Sequence, residues 1–230
     1  LSTFESFAAI AERQLGLVTA EQAGRAGIVR EQLARFAAEG LVWEPDWSVY
    51  QLTSSAVAPR YSYPYAAWLA LAPNTFAWER PQAVHEDAVL SHESACQLWG
   101  LGSFAAPRVR FIAPAPLTEI RAVTVATSPL VPHEVTRHHG VPVTTPQRVI
   151  VDLLRDAADQ DDVRRALTDA VRLDLVDLLA VYDELLPLAD ELQLPVNGAE
   201  FAGRLLGELE TSGLSERNRR AFDVLVGVRG

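Results

Sequence analysis

Apolar residues recur at helical spacing from the start of the chain. Phe4, Phe7, Ala8, Ile10 and Ala11 form one stripe, which predicts a helix over Phe4–Gln14 that Gly16 ends. Thr19 and Gln22 have the spacing of a capping box, so a second helix is expected from Ala20, stopping at Gly27. A third is expected over Val29–Glu39, with Ile28, Leu33, Phe36 and Ala37 facing inward and Gly40 as its terminator. Two apolar, aromatic runs, Leu41–Glu44 and Ser48–Leu52, flank Pro45 and Asp46, residue types that favour a turn. Three helices followed by a hairpin is the order of a winged helix-turn-helix, expected over residues 1–58.

After the Pro- and Tyr-rich stretch "SSAVAPRYSYPY" the pattern becomes mixed. Helices are expected over Tyr65–Leu71 and between Ser91, as N-cap, and Gly100. "RVRFIAP", "AVTVAT" and "EVTRHHGVPVTT" read as strand segments, giving a small sheet over residues 105–145. Thr145 then caps a helix with Pro146 in its first position, where a missing N–H is harmless. From there the pattern is helical through residue 230: Val149–Ala157, Asp161–Arg172, Leu175–Leu186, Gly198–Glu208 and Ser215–Val226. The expected fold class is therefore α+β and mostly helical. An N-terminal winged helix-turn-helix is followed over residues 59–230 by a mixed α/β middle region and a helical C-terminal region.

Charge changes this picture in one respect. The formal net charge is −10, yet residues 1–60 carry five Arg against seven acids, whereas residues 151–230 carry nine Arg against seventeen acids. The acidity belongs to the last third, and an Arg-bearing face is compatible with the N-terminal segment. All twenty cations are Arg. Without lysine there is no phosphate-binding P-loop and no Schiff-base chemistry. One cysteine, Cys96, excludes an intramolecular disulfide and falls on an apolar stripe with Leu90 and Trp99. No run of about 18 apolar residues reads as a membrane span, and nothing at the N-terminus reads as a signal peptide, so a cytoplasmic location is expected.

On the third helix, Arg30, Glu31, Gln32, Ala34 and Arg35 are left facing outward. Arg bonds guanine and Gln bonds adenine in bidentate fashion, and Arg30, at the helix start, lies closest to bases in such docking. Thr19, at the start of the second helix, is placed to bond a phosphate. The competing reading is a three-helix packing unit that touches no DNA. The hairpin tip, Glu44-Pro45-Asp46-Trp47, carries no cation, which argues for modest affinity. His138 and His139 are adjacent on an expected strand and point to opposite faces, so no metal site is expected. Ser91, His92 and Ser94 share one helix turn, where capping accounts for Ser91, and Arg148 and Asp152 read as a helix-surface pair or a local structural bridge. No catalytic constellation, enzyme activity or cofactor is expected. Arg217, Arg219 and Arg220 fall within one turn of the last helix, as a solvated face or as a contact for an acidic partner.

Three stretches together resemble AbiEi-type antitoxins, the antitoxin half of bicistronic toxin–antitoxin systems: "GLVTAEQAGRAGIVREQLARFAAEGLVW…VYQL", "VLSHESACQLWGL" and "GVPVTTPQRVIVDLL". The resemblance spans most of residues 15–155. It implies an N-terminal domain that binds inverted repeats in its own promoter through Thr19, Arg30, Gln32 and Arg35. It also implies an antitoxin-type C-terminal domain over 59–230, a homodimer on DNA, and a nucleotidyltransferase-like toxin from the adjacent gene as partner. Where the family wing reads Arg-Gly-Val-Tyr, this chain has Trp47-Ser48-Val49-Tyr50. The alternative is an interaction module that inhibits its toxin by direct contact, with little or no DNA binding.

Overall fold

The computed structural model describes residues 2–156 and 158–227; Ala157, expected at the end of a helix, lies outside the described residues. The fold is α+β, and the chain forms two compact units. One holds residues 2–90 and 107–143, the other residues 91–106 and 144–227. Among the described residues no helix is long and apolar enough to cross a membrane.

The first unit begins with α1 (Thr3–Ala11), β1 (Leu17–Thr19), α2 (Ala20–Arg25), α3 (Arg30–Ala38), β2 (Val42–Asp46) and β3 (Val49–Leu52). The expected capping box forms at α2: Thr19 Oγ1 accepts from Gln22 N (3.0 Å), and Gln22 Oε1 accepts from Thr19 N (3.1 Å). Of Leu17–Thr19 the sequence assigns a place only to Thr19, as the cap of that helix. The segment is a strand because Leu17 pairs with Gln51 and Thr19 with Val49, making an antiparallel sheet of order β1-β3-β2. Phe7, Ala11, Val18, Ile28, Leu33 and Phe36 are buried together. Phe4 and Phe7 both meet the Phe36 ring edge-on, at 5.1 and 6.2 Å. Ala37, expected inside, is exposed, since the buried stripe of this nine-residue helix is only Leu33 and Phe36.

The hairpin turn is not at Pro45 and Asp46. Asp46 pairs with Val49, which leaves Trp47 and Ser48 as the two turn residues, both at φ +53°. A two-residue loop that matches strand twist needs left-handed backbone at both positions, usually Asn-Gly. Holding a side-chain-bearing residue there costs roughly 1–2 kcal/mol, against about 0.5–1 kcal/mol for glycine's extra freedom in the unfolded chain. The Ser48 backbone contacts, N–H to Glu44 Oε1 and carbonyl to Ala20 N, survive loss of the side chain. Ser48→Gly is therefore expected to stabilise this unit by about 0.5–1 kcal/mol. A thermal midpoint that falls would contradict this.

The unit continues with α4 (Pro59–Ala70), β4 (Val89–Leu90), β5 (Val109–Ala113), β6 (Val123–Thr127), β7 (Val135–His138) and β8 (Val141–Thr144). These strands form a five-stranded sheet of order β6-β5-β4-β8-β7. β4 runs antiparallel to β5 and parallel to β8, and β5 runs parallel to β6. α4 starts well before the expected Tyr65, with Pro59 at its first position and Pro64 inside it.

The second unit is helical: α5 (His92–Trp99), α6 (Pro146–Arg155), α7 (Gln160–Arg172), α8 (Leu178–Leu185), α9 (Ala189–Leu192), α10 (Gly198–Leu205) and α11 (Glu216–Val226). Thr145 caps α6 as expected. α8 begins three residues later than expected because Asp177 caps it, accepting from Leu179 N and Ala180 N. Buried Asn218 of α11 joins the loop before α8: its Oδ1 accepts from Leu178 N (2.9 Å), and its Nδ2 donates to Val176 O (3.0 Å).

Candidate nucleic-acid interface

The four residues expected to touch DNA divide sharply. Arg30 is the first residue of α3 and is exposed. Arg35 is also exposed, at 62% of its side chain, and makes only a loose pair with Glu39 (3.6 Å) one turn on. Such a pair contributes about 0.3–0.5 kcal/mol, so it does not hold Arg35 from another partner. Gln32 is half-buried and engaged at both ends: Oε1 accepts from Val29 N (3.0 Å), and Nε2 donates to Thr3 Oγ1 (3.3 Å).

Thr19 has to be corrected. It is fully buried, and its hydroxyl is used twice, accepting from Gln22 N and donating to Pro73 O (2.5 Å). A hydroxyl with no exposed surface does not meet a phosphate. The residues that cover it, 73–79, lie along α2. Gln22 Nε2 donates to Thr75 O (2.8 Å), Gln14 Oε1 accepts from Ala77 N (2.8 Å), and Arg25 forms a fork on Glu79 (2.6 and 2.8 Å). Arg25 thereby holds the Glu79 carboxyl down at about 2, with help from Phe76 N–H. Arg13 lies over the Trp78 ring at 3.7 Å.

The hairpin tip differs from an open, acidic wing. Asp46 is largely buried and pairs with the exposed Arg121, and the Trp47 indole N–H donates to Arg121 O (2.7 Å). The Trp47 ring packs against Tyr63 of α4 at 5.1 Å. The Asp46 carboxylate is neutralised while Glu44 stays exposed, accepting from Ser48 N, and a guanidinium from the β5–β6 connection stands beside the tip. Sequence reasoning missed Arg121 because it lies 75 positions from Asp46.

Other candidates resolve differently. In the second unit Ser91 sits at the N-cap position of α5 without capping it; its hydroxyl meets His92 Nδ1 at 2.8 Å instead. His92, at φ +52°, has Nε2 3.6 Å from Asp156. Ser91 has no exposed surface, so this Ser–His–Asp alignment does not present a nucleophile to a substrate. Arg148 and Asp152 pair at 2.7 Å inside the unit, not on its surface, and burial raises the Asp152 carboxyl against the pull of Arg148. Burial pushes the Cys96 thiol up as well, with a smaller push from Glu93. On α11, Arg217 pairs with Asp174 (2.8 Å) and Arg220 with Glu216, so two of the three arginines there are neutralised within the unit.

No family model and no curated protein matches the chain. Among solved structures it is similar to the RV2827C protein from Mycobacterium tuberculosis, at 17% identity and a TM-score of 0.47, over 97% of this chain and 80% of that one.

Proposed function

We propose that residues 1–58 act as a winged helix-turn-helix and that the protein is an AbiEi-like antitoxin, not an enzyme. In this reading it represses its own operon by binding promoter DNA and neutralises a nucleotidyltransferase-like toxin from the adjacent gene. The order α1–β1–α2–α3–β2–β3 and the β1-β3-β2 sheet support the reading. The observation that carries it is the division of α3. Leu33 and Phe36 are buried, while Arg30 and Arg35 stand exposed on the face a major groove would meet. Arg121 beside the hairpin tip supplies a phosphate contact. Thr19 and Gln32 have no part in it.

Each bidentate Arg–guanine contact discriminates by about 1–3 kcal/mol. Arg30→Ala with Arg35→Ala is therefore expected to abolish preference for the upstream region over random DNA without lowering the thermal midpoint. Arg121→Ala is expected to weaken binding to both sequences equally and to make the salt dependence shallower. Titration of each variant at several salt concentrations reads both effects. A wild-type affinity no better for the upstream region than for random DNA would remove the repressor reading.

The second reading is an interaction module that blocks its toxin by contact. It is favoured by the tied-down hairpin tip and by the charge of the C-terminal unit, where ten Arg face eighteen acids over residues 91–106 and 144–230. Such a surface suits a basic, nucleic-acid-handling partner. A stable complex on co-purification with the neighbouring gene product, together with no DNA preference, would select it.

A further inference from the structure

A hollow of about 470 Å³ opens in the first unit, walled by Leu15, Ala56, Val57, Ala58, Tyr61 and His139. Its volume falls within the roughly 300–1,000 Å³ of small-ligand sites. It lies away from the hairpin turn. The turn is at Trp47 and Ser48, β1 runs from Thr19 opposite Val49 to Leu17 opposite Gln51, and Leu15 is beyond that far end.

Two aromatic rings form one wall. The His139 imidazole stacks on Tyr61, with centroids 4.1 Å apart and planes 28° from parallel. His138 stands edge-on to both, 4.5 Å from His139 and 5.9 Å from Tyr61. Strand alternation predicts these histidines on opposite faces. They converge because His139 is not in the strand: it and Gly140, at φ +47° and +84°, make the two-residue turn between β7 and β8. That turn packs on the hollow, since a Cβ at Gly140 would lie 3.4 Å from the Leu15 methyls.

Two arginines lie beside this wall, next to residues that line the hollow. Arg60 is exposed, with its guanidinium carbon 4.6 Å from the Tyr61 centroid. Arg137 is exposed and donates to Gly140 O (3.4 Å). Among the described residues neither pairs with a carboxylate, in a chain where most arginines near an acid do. The wall from Ala58 to Tyr61 is also the start of α4, a helix of twelve residues with no side-chain cap. Pro59 has no N–H, and Tyr61 and Ser62 N–H both bond Ala58 O, so Arg60 N–H is the donor left at this helix start.

A flat stacking surface, an apolar floor and adjacent arginines without a carboxylate select for one ligand that is planar at one end and anionic at the other. We propose that this hollow binds a nucleoside phosphate, its base extending the His139–Tyr61 stack and its phosphate meeting the guanidinium and backbone N–H of Arg60. This is independent of the DNA-binding reading.

Binding of AMP, adenosine and inorganic phosphate to the full chain, measured by calorimetry, tests it. AMP is expected to bind saturably and about tenfold or more tighter than adenosine or phosphate alone. Arg60→Ala is expected to bring AMP down to the affinity of adenosine and to leave adenosine unchanged. His139→Asn, which a left-handed position tolerates, is expected to weaken both. A short single strand with a 5′-phosphate distinguishes the sources: tighter binding than AMP assigns the site to a strand end, and weaker binding assigns it to a free nucleotide. Absence of saturable binding of either probe up to millimolar concentration overturns the proposal. So does undiminished AMP affinity in both variants, with thermal midpoints confirming that each is folded.

Discussion

Asp87→Ala is expected to destabilise the first unit by about 3–5 kcal/mol, the effect of leaving one buried charge without its partner. Arg80 and Asp87 are 5% and 7% exposed and form a two-pronged pair, Nε to Oδ2 at 2.8 Å and Nη2 to Oδ1 at 2.5 Å. The remaining donor of Arg80, Nη1, reaches Trp68 O (2.5 Å), and its guanidinium lies 3.8 Å from the Trp68 ring centroid. Asp87 Oδ1 also accepts from Ala88 N (2.6 Å). Burial pulls the Arg80 pKa down, and Asp87 opposes that pull. Removing Asp87 leaves the desolvated guanidinium with one carbonyl and one ring face. Replacing both residues, Arg80→Met with Asp87→Leu, is expected to restore part of the loss, because two apolar side chains of similar volume bury no charge, while Trp68 O and Ala88 N–H lose their partners. Urea unfolding of the three variants reads this. A single variant within about 1 kcal/mol of wild type would mean that water reaches the pair and solvates Arg80.

This pair also positions the candidate interface. It fixes the chain immediately after residues 73–79, which cover the start of α2. With Arg80 pinned at one end and Gln14, Gln22 and Arg25 gripping the rest, Thr19 stays covered, and the exposed cations near the hairpin are those of α3 and Arg121.

What was legible in the sequence is what neighbours within one helical turn decide. The Thr19–Gln22 box, the buried Leu33 and Phe36, the exposed Arg30 and Arg35, and the Thr145–Pro146 helix start all follow from spacings of four residues or fewer. The fate of Thr19 was not legible, because the carbonyl that takes its hydroxyl proton lies 54 positions away. The cation beside the hairpin tip was not legible for the same reason, Arg121 lying 75 positions from Asp46. The hairpin turn was misplaced because Pro45 and Asp46 carry stronger local turn preferences than Trp47 and Ser48. Register with β1 and β3 overrides those preferences and forces two unfavourable residues into left-handed backbone. The paired histidines were misread by the opposite error, a strand pattern extended one residue into a turn.

Gln22→Leu is expected to cost about 1–3 kcal/mol, although leucine is apolar, helix-favouring and similar in size. Gln22 is fully buried, and its amide satisfies three groups at once. Oε1 accepts from Thr19 N (3.1 Å) and from Gln14 Nε2 (2.8 Å), and Nε2 donates to Thr75 O (2.8 Å). Gln14 Nε2 keeps Leu17 O, so Thr19 N–H and Thr75 O are the two groups left without this partner, at roughly 1–3 kcal/mol each, which together outweigh the gain of about 1.5–3 kcal/mol from burying a leucine. The loss has a local signature, since Thr75 belongs to the covering segment. Residues 73–77 are expected to lose protection from proteolysis and amide exchange before α3 or the Phe7–Phe36 contact does. Gln14→Leu removes the same network from its other side, freeing Ala77 N and Leu17 O. The double variant is therefore expected to lose much less than the sum of the singles, because they share the Gln14–Gln22 bond. Additive losses would show that the two glutamines act separately, each holding its own part of residues 73–79.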